Sequence, residues 1–172
     1  VDRRSVRSVS QNFQSAYDLL PSPSYFSEVT DPIIVFNPDA SFTAEWRAHW
    51  GPTINNYPDF YEFITGTGVA RTDPPSNLLQ IPEVLRSDLV DNTANFHNLF
   101  DSFVFPPNIR VVQIAGWGVP TAKGIEYRNK HFLPNYDIIP TIEGDSTVVY
   151  SSAVSYSAET FYFNLEKYRT NE

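Results

Sequence analysis

Apolar residues recur at helical spacing over the first hundred positions of this chain and in β-branched runs thereafter. Phe13, Ala16, Tyr17 and Leu20 fall at i, i+3, i+4 and i+7, which predicts a helix over residues 10–20, capped by Ser10 and stopped by Pro21. Pro21-Ser22-Pro23-Ser24 then runs extended, because each residue before a proline is pushed out of the helical region. Pro-Ile-Ile-Val-Phe at 32–36 predicts a short strand and Asn37-Pro38-Asp39 a turn. Residues 42–50 form a short helix with Trp46 and Trp50 one turn apart, ended by Gly51-Pro52. Tyr57, Phe60, Tyr61 and Ile64 mark another, with Pro58 in its first turn and Gly66 at its stop. Residues 66–76 are a loop, and Pro82 opens a further short helix. Asp88 caps a longer helix reaching Phe103, whose stripe of Phe96, Leu99, Phe100 and Phe103 reads as core.

The pattern changes at Pro106-Pro107-Asn108. The β-branched run at 109–115 predicts a buried strand that delivers Gly116-Trp117-Gly118 at its C-terminal end, where open α/β sheets bind ligands. Residues 124–128 and 138–142 pair as a hairpin across 129–137, and 147–152 follow as a strand. Residues 157–168 read two ways: Ala158, Phe161, Leu165 and Tyr168 suit a helix, Phe161-Tyr162-Phe163 a strand. The fold class is α/β, with a mostly helical region over 1–105 and a strand-rich region over 106–172 that ends in a helix or strand.

Composition narrows the functions. A chain of 172 residues, 41% hydrophobic and 15% aromatic, can bury a core. Its net charge of −8 argues against a nucleic-acid partner, since no basic surplus exists to displace counterions from a phosphate backbone. No apolar run approaches the ~18 residues that span a bilayer, and no secretory leader is visible. Without cysteine there are no disulfides, thiol nucleophiles or cysteine-ligated zinc, although the compartment stays open. Fourteen prolines against seven glycines indicate stiff, extended connections. The absence of methionine marks the chain as a processed product or an excised piece.

Few residues carry chemistry. His49, His97 and His131 lack metal-ligand spacing, and no glycine-rich phosphate loop precedes a helix, so neither a metal nor another cofactor is expected. Ser151 and Ser152 sit at a strand end without the Gly-x-Ser-x-Gly elbow that exposes a nucleophile. Glu45, Asp59 and Glu62 lie on amphipathic helices, where acids form the wet face more often than a glycosidase pair. One stretch stands apart: Gly144-Asp145-Ser146-Thr147-Val148. It reads either as an Asx turn leading into a strand or as a rigidly held catalytic carboxylate that orients a histidine.

Two separated segments resemble the lecithin:cholesterol acyltransferase-like branch of the α/β-hydrolases. The first is Ala16-Tyr17-Asp18-Leu19-Leu20-Pro21-Ser22-Pro23. The second is Ile114-Ala115-Gly116-Trp117-Gly118-Val119-Pro120-Thr121 followed by Glu143-Gly144-Asp145-Ser146-Thr147-Val148. The resemblance implies a partial α/β-hydrolase fold, a helical cap followed by the last strands of the sheet. It implies that Asp145 is the triad acid, kept ionised by hydrogen bonds from Ser146 and Thr147, and that Trp117, Trp46 and Trp50 line a site for an acyl ester or lipid substrate. The family order is serine, acid, histidine. Nucleophile and histidine are therefore expected from the remainder of the parent chain, and these 172 residues alone are expected to be inactive. The alternative is a non-catalytic carbohydrate- or protein-binding module with exposed aromatics.

Overall fold

The computed structural model describes residues 2–69, 79, 81, 83–154 and 158–168. In chain order these form α1 (Arg3–Ser10), α2 (Gln14–Tyr17), α3 (Tyr25–Glu28), β1 (Ile34–Phe36), α4 (Ala44–Trp50), β2 (Thr53–Ile54), α5 (Tyr57–Thr65), α6 (Ser87–Asp101), β3 (Val112–Trp117), β4 (Thr121–Lys130), β5 (Leu133–Thr141), α7 (Tyr150–Ala153) and β6 (Glu159–Asn164). Single 3-10 turns precede α4 and follow β6. Helices thus combine with a mixed four-stranded sheet ordered β2-β1-β4-β5, in which β1 and β4 run parallel and the other neighbours antiparallel. A second sheet holds β3 and β6 side by side in parallel. The helical and strand-rich halves share the larger sheet, because β1 and β2 come from one and β4 and β5 from the other.

Aromatic rings build the core. Phe36 of β1 and Tyr127 of β4 stack with centroids 6.2 Å apart, and Phe63 of α5 lies within 5.8 Å of both. Trp46 and Trp50, one turn apart on α4, meet Phe63 edge-on at 5.3 Å each. Each such pair adds about 0.5–1.5 kcal/mol beyond the area it buries. Local chemistry sets α5: Asn56 accepts the Asp59 amide at 3.0 Å, Pro58 occupies the first turn, and Gly66 closes the helix in the left-handed conformation.

Several sequence expectations are revised. No continuous helix fills 10–20. The helix begins earlier, at Arg3, and ends where Ser10 Oγ and Asn12 Nδ2 donate back to the carbonyls of Val6 and Ser8. Phe13 is extended and exposed, and only Gln14–Tyr17 is helical after it. The stripe on α6 is not core, since Phe96, Leu99, Phe100 and Phe103 are all exposed; Val90 and Thr93 make the buried contact instead. The strand expected over 109–115 begins later, at Val112, and only Ala115 in it is buried, with Val112 and Ile114 exposed. Thr147 and Val148 form bends rather than a strand, Val149 makes a single bridge to Gly144, and α7 follows. Of the two readings of 157–168, the strand is the one adopted. The expected loop over 70–76 and the helix opened by Pro82 lie outside the described residues, apart from the helix's neighbours at 81 and 83–86, which are not helical.

The hairpin is longer than its sequence pattern indicates. The pairing of β4 with β5 runs out to Lys130↔Leu133, so only His131 and Phe132 make the turn. Both have positive φ, 51° and 64°. Pro134 and Pro140 are tolerated because β5 is an edge strand. A left-handed conformation costs a side chain other than glycine or asparagine about 1–2 kcal/mol. Replacing His131-Phe132 by Asn-Gly, the pair such two-residue turns prefer, is expected to raise stability by about 1–2 kcal/mol in urea denaturation. An unchanged or lower midpoint would show that the turn is not strained.

Candidate active site

The acid turn hangs on β4 through one hydroxyl. Thr121, the first residue of β4, is fully buried; its Oγ1 donates to the Val119 carbonyl at 2.8 Å and accepts the Ser146 amide at 2.9 Å. Val119 in turn donates to the Gly144 carbonyl at 3.1 Å, so the segment after β3 pairs in parallel with the acid turn. Gly144 is required by space and not by its backbone angles. A Cβ there would lie 2.5 Å from Thr121 Oγ1 and 2.6 Å from the Val148 carbonyl. The left-handed residue of the turn is Ser146, with φ 83°.

This frame fixes the Asp145 carboxylate. The amides of Thr147 and Val148 donate to its Oδ1 at 2.9 and 2.8 Å. Those two bonds, Val148's first, hold its carboxyl below the usual aspartate range, so it is ionised at neutral pH. The Ser146 amide does not contribute, being committed to Thr121. Asp145 Oδ2 has no partner among the described residues, and the side chain is exposed.

The end of β6 arrives at the same place. Leu165 donates its amide to the Trp117 carbonyl at 2.8 Å, directly after β6. The position of a Cβ on Gly116 would be 2.8 Å from Leu165 Cδ1 and 3.3 Å from Asp145 Cβ, so both close over this glycine. The C-terminal ends of two parallel strands therefore converge on the acid. Asn164 locks the exit from β6, its Oδ1 accepting the Glu166 amide at 3.0 Å. Thr121 and Asn164 were given no role from sequence. Thr121 lies within the Gly116–Thr121 motif, and a hydroxyl directly after Val119-Pro120 was the available signal.

The three tryptophans separate. Trp117 lines a hollow of about 520 Å³ beside the acid turn with Ile142, Glu143, Tyr150 and Tyr162. Trp50 is 8% exposed and Trp46 packs on the same aromatic core, so neither lines that hollow. Ser151 sits in α7, and Ser152 Oγ donates to the Val149 carbonyl at 2.9 Å. Both serines border a cleft of about 410 Å³ that no histidine lines. The histidines lie elsewhere. His49 faces Glu62 at 3.4 Å, His97 has its Nε2 buried without a partner among the described residues, and His131 occupies the hairpin turn. Asp59 belongs to the cap of α5, where it takes the Asn56 amide group at 2.6 Å. Among the described residues no group of three histidines or carboxylates is placed to hold a metal ion, and no helix is long and apolar enough to cross a membrane.

No family model matches the chain, and no curated protein matches it.

Two predictions follow from the frame. Thr121→Val removes both hydroxyl bonds while keeping the volume and leaves the Val119 carbonyl and Ser146 amide unpaired. It is expected to cost about 1–3 kcal/mol in urea denaturation, with Thr121→Ser losing less; equal losses would remove the hydroxyl from the account. Because Asp145 has a depressed pKa in the folded chain, its contribution is present above the unfolded value of about 4 and is lost as pH falls through the folded one. The urea midpoint of the native chain should therefore drop more steeply below about pH 4 than that of Asp145→Asn. Parallel curves would rule out that linkage.

Proposed function

We propose that Asp145 is the acid of a Ser-His-Asp triad in a lipase- or acyltransferase-like α/β-hydrolase that acts on acyl esters. In this reading the present chain supplies the acid and the wall of the site, and the remainder of the parent chain supplies the nucleophile and the histidine. The observation that carries it is the state of the carboxylate: one oxygen held by two backbone amides, the other without a partner among the described residues, at the converging C-terminal ends of two parallel strands. A triad acid needs this arrangement. Its fixed oxygen sets the direction of the group, and its free oxygen can accept the Nδ1–H of an imidazole, selecting the tautomer whose Nε2 takes the serine proton. The serine oxygen then bonds the ester carbon, the imidazolium returns the proton to the departing alcohol, and Asp145 stabilises the positive ring without taking its proton. A carboxyl held below its ordinary pKa suits that role.

The bare surfaces of the small sheet support the same reading. Parallel strands are ordinarily covered on both faces, and two strands do not make a sheet that is stable alone. Here Val112 and Ile114 of β3 and Phe161, Tyr162 and Phe163 of β6 are exposed, Ile114 by 76%. Further strands and helices of a hydrolase sheet would cover them. Trp117, beside the acid turn, is the tryptophan positioned to line an acyl pocket; Trp46 and Trp50 serve the core.

The test uses the full parent polypeptide and a chromogenic acyl ester. Asp145→Asn should lower kcat about 10⁴-fold with little change in KM, while a fluorophosphonate labels the native polypeptide and not residues 1–172 alone. Retention of a tenth or more of the activity in Asp145→Asn, or a parent polypeptide that takes no label, would refute the assignment.

A further inference from the structure

The hollow beside the acid turn has a lining that the triad does not use. Strand register places two of its rings on one face of the small sheet. Ala115 pairs with Tyr162 and Trp117 with Asn164, so the Trp117 indole and the Tyr162 phenol are diagonal neighbours. α7 brings a third ring to that face. Tyr150 meets Tyr162 with centroids 5.3 Å apart and planes at 75°, so the two phenols stand as adjoining walls. The backbone ties this corner to the acid turn: the Tyr150 amide donates to the Glu143 carbonyl at 2.8 Å, and Val149 bridges Gly144 beside it. Glu143 thereby joins the lining, with Ile142 before it.

The charge around this hollow is negative. Glu143 is exposed, and its carboxylate has no hydrogen bond or ion pair among the described residues. Asp145, two residues on, keeps one oxygen without a partner among them. Among the described residues no cation lines the hollow. Lys123 lines the neighbouring one, which shares Glu143 and Tyr150, and is held by Asp31 at 2.6 Å. Lys167 lies beyond β6 and directly follows Glu166, where Asn164 Oδ1 accepts both amides. Three rings and an unpaired carboxylate, in a chain whose net charge is −8, suit a positive ligand.

We propose that Trp117, Tyr150 and Tyr162, together with Glu143, form a binding site for a quaternary ammonium group. Aromatic faces attract such a cation through the negative side of their quadrupole, indole most strongly. A quaternary ammonium has no N–H to leave without an acceptor, so rings and one carboxylate meet its needs as it sheds water. An acyl chain can lie against the same rings but gains nothing from Glu143. The proposal goes beyond the triad reading, and its test uses no catalysis.

In the full 172-residue chain labelled with nitrogen-15, each of Trp46, Trp50 and Trp117 gives one indole N–H signal, and Trp117→Phe identifies the third. Titration with tetramethylammonium chloride, at ionic strength held constant with sodium chloride, should move the Trp117 signal alone. It should saturate with a dissociation constant on the order of 10 mM. tert-Butanol, an uncharged molecule of similar shape, should leave the signal in place. Glu143→Gln and Tyr162→Leu, both at exposed positions, should each weaken binding about threefold or more, with the Trp46 and Trp50 signals unmoved as the sign of an intact core. A trimethyl-lysine peptide that binds more tightly than tetramethylammonium places the group on a protein, and one that binds no better places it on a small molecule. Absence of a saturable shift, equal shifts with tert-butanol, or full binding by Glu143→Gln would overturn the proposal. The tert-butanol result would leave the hollow to an acyl chain and the triad reading intact.

Discussion

One hydroxyl group joins the packed sheet of this molecule to its acid turn. Thr121 Oγ1 donates to the carbonyl that ends the β3 segment and accepts the amide in the middle of the acid turn. A buried hydroxyl with both capacities satisfied is worth little net, yet removing it strands two backbone groups. The close approach it enforces also dictates its neighbour: no side chain fits at Gly144 while Thr121 Oγ1 and the Val148 carbonyl stand where they do. Beyond Gly144, backbone amides close the turn. Ser146 turns left-handed to reach Thr121, and Thr147 and Val148 reach Asp145. The low pKa of the acid follows from the Val148 and Thr147 amides, in a turn that Thr121 ties to β4.

Thr121 can act as an anchor because the strand it opens cannot shift. β4 is paired on both sides, to β1 and β5, and Tyr127 in its middle stacks on Phe36 beneath Phe63 and Trp46. Sliding β4 by one residue would turn Tyr127 to the opposite face and take it away from Phe36, Trp46 and Phe63. The aromatic core contributes to the site without touching it, through register. Trp46 and Trp50 matter to the acid in that indirect sense.

Local signals in the sequence proved readable where the chemistry is local. Asn56, Pro58 and Gly66 bound α5 by capping rules that need no tertiary context, and Asp145 Oδ1 forms the Asx turn that Gly-Asp-Ser-Thr predicts. What periodicity leaves open is the identity of the neighbour. Phe96, Leu99 and Phe100 do lie on α6, with Phe103 just beyond its end, but a stripe is core only if something packs on it, and here Val90 and Thr93 carry the packing. The same reason explains β3, whose β-branched run is a strand without being buried. The hairpin escaped for a different reason: His131-Phe132 carries none of the glycine or asparagine that marks a left-handed pair, so nine residues with Pro134 among them read as loop. Thr121 sits in a readable motif, but the motif does not say which backbone groups its hydroxyl will reach 25 residues further on.

These uncovered faces are not scattered. The buried residues gather where α4 and α5 pack on β1 and β4, while β3, β6 and the far end of α6 hold much of the exposed apolar surface. The acid stands on the uncovered side of that division, since Asp145 pairs with the segment following β3 and closes with Leu165 over Gly116. An ionised carboxylate with one free oxygen is stable in water and needs no partner there. If the apolar faces of β3 and β6 are covered by further chain, the same step removes water from around Asp145. Its free oxygen then becomes an unsatisfied charge that a protonated ring nitrogen satisfies best. Completing the small sheet and completing a triad would be one folding event, with the hydrophobic faces supplying the driving force and the Thr121 frame the direction.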